Sequence, residues 1–221
     1  MNRINSTFQQ LQKQGKKALI PFLIAGDPNL TQTKVLIREL CTQGADLIKL
    51  GVPFSDPLAD GPILQAAALR SLASGTTLKQ ILTLVHELRE TEKIQTPIIL
   101  LIYFNSIYRH GLEEFAKQAA QSGVDGLIVP DLPLEENTKL LRACQNHNLD
   151  LILSATPTAS DDRLAKINAL STSFVYCVPS PGITDGTLLT NFMNHLRSQI
   201  NQPLAIGINP QQAEEMAPFA D

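Results

Sequence analysis

Short apolar runs recur along the chain, separated by stretches in which apolar positions fall every third or fourth residue. The runs are ALIPFLIAG (18–26), DLIKLGV (46–52), PIILLIY (97–103), DGLIVPD (125–131), DLILSAT (150–156), SFVYCVP (173–179) and PLAIGI (203–208). Most lack strict alternation, as expected of parallel strands buried on both faces. Between them, Leu30 to Cys41 carries Val35, Ile37 and Leu40, and residues 81–88, 113–120 and 137–144 are apolar at helical spacing. Residues 161–170 open with cap-type residues. Strand–helix alternation with short polar joints predicts repeated βαβ units and a parallel sheet. A doubly wound sheet usually has about six strands, whereas a barrel needs eight. The seven candidates, with one long insert between the second and third, favour an α/β fold of the (β/α)8 TIM-barrel class. It is expected to form a single domain over residues 1–221, truncated before the eighth strand, because an unclosed barrel would expose two strand edges.

Composition narrows the function classes. Of 221 residues, 43% are hydrophobic, enough for a large core. The 18 Lys and Arg against 21 Asp and Glu leave a net charge of −3, which argues against nucleic-acid binding. Cys41, Cys144 and Cys177 form no CxxC pair, so a reducing, cytoplasmic setting is expected. No apolar run approaches the roughly 18 residues needed to span a bilayer, and residues 1–17 are too polar for a signal peptide. His86, His110, His147 and His195 are scattered, so no metal site is expected. The charge-rich stretch from His86 to Lys93 reads as a solvated helix face.

Barrel active sites lie at the carboxyl ends of the strands. There the chain places Asp27 after the first strand, Lys49 on the second, Tyr103 and Asn105 after the third, Asp131 after the fourth and Tyr176 on the sixth. The loop Gly51–Pro62, GVPFSDPLADGP, holds three prolines, two glycines and two aspartates, so its shape is fixed. Asp56 and Asp60 sit where a ligand could reach them. The plainer alternative is that both cap turns, and the same alternative holds for Asp27 and Asp131.

PFSDPLADGP resembles the signature of the tryptophan synthase alpha subunit family. PFLIAGDPN, GADLIKLG, Tyr103-x-Asn105, GLIVPDLPLEE and the loop Pro181–Thr184 follow in the family's order. The resemblance implies a (β/α)8 barrel and a lyase of tryptophan biosynthesis. Such a lyase cleaves indole-3-glycerol phosphate to indole and glyceraldehyde 3-phosphate by a retro-aldol reaction. It implies a loop aspartate, Asp60, accepting the indole N–H, with Phe22, Leu101, Tyr103 and Tyr176 around the ring and Thr184 and Gly207 at the phosphate. It also implies no metal and no cofactor in this subunit. The partner is a pyridoxal-phosphate-dependent beta subunit in an alpha-beta-beta-alpha heterotetramer, faced by Pro53, Asp56, Asn105 and Pro133.

Three positions depart from the family. Lys49 stands where the family carries the glutamate of the main proton transfers. An ammonium of ordinary pKa, ~10.4, cannot serve as a base near neutrality, and Asp60 nearby is expected to hold it charged. Asp185 follows Thr184 where the family has glycine, and only Gly207 remains of a Gly-x-Gly after strand seven. Impaired cleavage is therefore expected. Two other readings stay open: a non-catalytic partner that activates a beta subunit, and a Schiff-base aldolase using Lys49.

Overall fold

The computed structural model describes residues 2–178, 186–208 and 216–221. It divides into two compact units, one of residues 1–7 and 19–150, the other of residues 8–18 and 151–221. Helix α1 spans Arg3–Gln14.

The first unit runs β1 (Phe22–Ile24), α2 (Leu30–Thr42), β2 (Ile48–Gly51), α3 (Pro62–Ala73), α4 (Leu78–Glu90) and β3 (Ile98–Leu101). Then follow α5 (Phe104–His110), α6 (Leu112–Gln121), β4 (Gly126–Ile128) and α7 (Thr138–Asn146). Its strands pair in parallel and in chain order, with Phe22 opposite Lys49, Lys49 opposite Ile99 and Leu101 opposite Ile128. Every residue of β2 and β3 is buried, which is why neither strand alternates. Local chemistry sets the helix starts. Asn29 Oδ1 accepts from Gln32 N at 2.9 Å, opening α2. Thr77 and Gln80 form a reciprocal capping box at α4. Pro62 occupies the first turn of α3, where its missing N–H costs nothing.

The amino ends of β3 and β4 close over a buried charge cluster. Arg89 on α4 donates to Asp125 Oδ2 at 2.7 Å and to the carbonyls of Ile94, Thr96 and Gly123. Asp125 also accepts from Ile98 N at 2.7 Å and from Arg3 Nε at 2.7 Å. The solvated-face reading of residues 86–93 is thus corrected. His86, Glu87 and Glu90 are exposed, but Leu88 is buried and Arg89 is 8% exposed, because a carboxylate and three carbonyls satisfy its guanidinium.

The second unit contains all but the first residue of β5 (Asp150–Ala155), then α8 (Asp161–Leu170), β6 (Val175–Cys177), α9 (Gly186–Gln199) and β7 (Leu204–Ile206). Again the pairing is parallel and sequential, with Tyr176 between Ser154 and Ala205. Phe8 of α1 packs on Phe174 with ring centroids 5.3 Å apart. Asp221 ties the unit's end down, accepting from Arg197 Nη2 at 2.6 Å and from Leu204 N at 2.9 Å.

All seven expected strands are present, each shorter than its apolar run. The long insert between β2 and β3 consists of two helices, α3 and α4. Asn105 lies in the first turn of α5 rather than at a strand end.

Candidate active site

The β1–β2 register sets Phe22 beside Lys49. Lys49 is only 8% exposed, and its Nζ lies 4.2 Å from the centroid of the Phe22 ring. A cation over an aromatic face is attracted by the ring quadrupole. Gly51 makes this packing possible: a Cβ there would lie 2.6 Å from Ile24 Cδ1 and 2.9 Å from Phe22 Cε2, closer than atoms tolerate.

Beyond β2 the loop folds on itself and is held by Tyr103. Val52 N donates to Leu101 O at 2.8 Å, Leu58 N to Asp56 O at 2.9 Å and Asp60 N to Pro57 O at 3.1 Å. The Tyr103 hydroxyl accepts from Ala59 N at 3.0 Å and donates to Asp60 Oδ2 at 3.1 Å. The Phe54 ring stacks on Tyr103 with centroids 5.0 Å apart and planes 18° from parallel. Such a stack contributes about 1 kcal/mol beyond area burial.

Phe22, Lys49, Asp60 and Tyr103 are therefore brought together, with Leu101 buried at the end of β3. The two loop aspartates part company. Asp56 is exposed and accepts from Ser55 Oγ at 2.6 Å, as a turn residue does. Asp60 turns its carboxyl to Tyr103 instead. Asp131 Oδ1 accepts from Phe104 N at 2.8 Å, tying the loop after β4 to the first turn of α5 rather than capping its own turn. Asp27 takes a two-pronged bond from Arg70 at 2.8 and 2.7 Å, and that guanidinium holds its carboxyl below the usual range. Asp56, Asn105 and Pro133 are exposed, whereas Pro53 is buried.

In the second unit Tyr176 and Gly207 meet, since a Cβ on Gly207 would lie 2.9 Å from Tyr176 Cζ. Thr184 and Asp185 lie outside the described residues. Phe54 and Arg70 were not anticipated. Phe54 stands inside the loop motif, where an aromatic among prolines and glycines is the one available signal.

The family model of the tryptophan synthase alpha chain matches residues 8–221. The tryptophan synthase alpha chain of Citrifermentans bemidjiense is 46% identical over 229 residues, covering 100% of this chain and 85% of that protein. That of Acaryochloris marina is 43% identical over 226 residues, covering 100% and 84%. The chain belongs to the tryptophan synthase alpha chain family. Among solved structures, the alpha subunit from Legionella pneumophila superposes with a TM-score of 0.93 at 37% identity, covering 100% of this chain and 84% of that one. The tryptophan synthase α2β2 complex from Pyrococcus furiosus gives 0.84 at 32% identity, covering 92% and 83%. The fold is accordingly α/β of the (β/α)8 barrel class.

In this alpha chain the electrostatics of the site are set first by burial. Loss of water lowers Lys49 from 10.5 to about 8, although the Asp60 charge opposes the change. Burial raises Asp60, against the Tyr103 hydrogen bond and the Lys49 charge. Burial also pushes the Tyr103 phenol above its ordinary value, so it stays a proton donor to Asp60. The expectation that Asp60 keeps Lys49 fully charged is therefore only partly met. With a pKa of about 8, roughly nine in ten amines carry the proton at pH 7. Cys144 and Cys177 are pushed up to about 12 by burial and stay thiols. Among the described residues no helix is long and apolar enough to cross a membrane, and no cluster of His, Cys, Asp or Glu could hold a metal.

Proposed function

We propose that this chain binds indole-3-glycerol phosphate as the alpha-type subunit of a tryptophan synthase. Its retro-aldol cleavage to indole and glyceraldehyde 3-phosphate is held back by Lys49. The observation that carries this reading is the joint placement of Asp60, Tyr103 and Phe22 around a buried lysine at the family's glutamate position.

The reaction protonates indole C3, then removes the glycerol hydroxyl proton so that the C–C bond breaks. A carboxylate at Asp60 stabilises the developing positive charge on the indole ring through its N–H. The Tyr103 hydroxyl fixes that carboxylate, while Phe22 and Leu101 supply a flat apolar surface beside it. Thr184 and Gly207 serve the phosphate. What is missing is the base. At neutral pH Lys49 is mostly an ammonium, which cannot take the hydroxyl proton and repels the cationic intermediate.

The partner is a beta subunit carrying the pyridoxal phosphate, this chain needing no cofactor of its own. The alpha chain's Pyrococcus furiosus relative is described as an α2β2 complex. In support, Leu58 and Ile63, 91% and 82% exposed, stand beside Asp56 on the loop and helix that follow β2, and Asn105 and Pro133 are exposed as well. A second reading, a non-catalytic activator of the beta subunit, is favoured by the same exposed loop combined with the buried cation. The test is indole release from indole-3-glycerol phosphate by the natural chain and by Lys49→Glu, each with and without a beta subunit. Lys49→Glu is expected to raise the rate about a hundredfold or more. A natural chain that matches or outpaces Lys49→Glu contradicts the reading. Stimulation of the beta reaction by a chain that releases no indole selects the activator.

A further inference from the structure

Lys49 brings together three features that carbonyl capture requires of an amine. It sits on a strand rather than a loop, in register between Phe22 and Ile99. It is 8% exposed, with Nζ against the Phe22 ring at 4.2 Å, so its position is fixed. A carboxyl that can carry a proton, Asp60, is within electrostatic reach and is itself held by the Tyr103 hydroxyl at 3.1 Å.

We propose that Lys49 is a nucleophile that traps a small phosphorylated 2-hydroxyaldehyde as a reversible imine. The choice of aldehyde rests on the proposed function, in which the same site releases an aldehyde of that class. The ammonium first gives a proton to Asp60. The nitrogen lone pair attacks the aldehyde carbon, and the carbonyl oxygen takes the proton back to form a carbinolamine. Loss of that oxygen as water, with two hydrogens that began on nitrogen, leaves a protonated imine. Ammonium and aldehyde thus become iminium and water, with charge conserved. The iminium, still cationic, keeps its place over the Phe22 face and in the field of the Asp60 carboxylate, so the site accommodates product as it does reactant. Desolvation in an apolar setting activates a lysine for this chemistry. The lowering of Lys49 to about 8 makes its neutral fraction near pH 7 roughly 300-fold larger than that of an ordinary surface lysine.

The experiment incubates the full chain with glyceraldehyde 3-phosphate and cyanoborohydride, with and without indole, and maps the modified lysines by peptide mass. The expected result is an adduct at Lys49, equal to the aldehyde less water plus two hydrogens, formed about tenfold or more faster than at any surface lysine. Its pH profile should have a midpoint near 8. Lys49→Arg and Lys49→Met, checked for folding by circular dichroism, should abolish that adduct and leave surface labelling unchanged. Suppression by indole supports imine capture and the indole-binding reading together. An adduct that indole does not suppress supports capture and counts against that reading. Indole binding without an adduct at Lys49, or labelling no faster than at surface lysines, overturns the imine proposal and leaves the other standing.

Discussion

The first unit buries two cations near aspartates, and their surroundings differ. Arg89 has its guanidinium filled by Asp125 and three carbonyls, and Asp125 is in turn bonded by Ile98 N and Arg3. That cluster lies at the amino ends of the strands, where residues hold the fold together. Lys49 is packed against an aromatic face with burial as the largest influence on its proton and the Asp60 charge opposing it, and Asp60 follows the carboxyl end of its strand. A charge saturated with directed bonds is fixed in one state. A charge whose pKa burial brings close to neutrality is left able to change state. The same ingredients make a structural bolt in one place and a titratable site in the other.

Breaking the bolt should have the largest effect. Arg89→Met leaves the Asp125 carboxylate buried without its main counter-charge and strips three carbonyls of a donor. It should destabilise the chain by about 3–5 kcal/mol in urea unfolding at pH 7.

The matching change at the other cation should act in the opposite direction. Lys49 titrates at about 8 folded and 10.5 unfolded. Between those values the unfolded chain binds more protons, so stability rises with pH across the window, and the burial penalty is fully present below about pH 8. Lys49→Met removes a penalty of about 3 kcal/mol. It should be more stable than the natural chain at pH 7, by an amount that shrinks as pH climbs toward 10.5. Urea midpoints at a series of pH values check both the sign and the window.

Tyr103→Phe sharpens the contrast on a smaller scale. It deprives Asp60 of its donor and Ala59 N of its acceptor, at a cost of about 1–2 kcal/mol. It should also raise Asp60 further, since the hydroxyl now favours the carboxylate, a change that carboxyl NMR titration would register.

Much of this arrangement was legible in the chain. Strands such as Ile98–Leu101 announced themselves because residues buried on both faces must be apolar throughout. The Gly51–Pro62 loop stood out by its density of prolines and glycines, and Asp60 within it proved to be the aspartate that turns inward. The helix α3 was not legible. Its apolar residues do not gather on one face, and Ile63 and Leu69 remain exposed. Nor could periodicity reveal that Arg89 is buried, since its partners lie 5 to 36 positions away. The Phe54–Tyr103 stack depends on how the loop closes, which spacing does not encode. The depression of Lys49 was invisible for the same reason: burial of one side chain is a property of the packed strands around it.

The account turns on Lys49 being governed by burial rather than by Asp60. Its titration can be followed directly by NMR in the full chain labelled with 13C at the lysine Cε, assigned by loss of the signal in Lys49→Met. The account predicts a midpoint of about 8, moving lower in Asp60→Asn as the opposing charge is removed. A midpoint at or above the ordinary 10.5 would show that an ion pair fixes the lysine charged, and would contradict it.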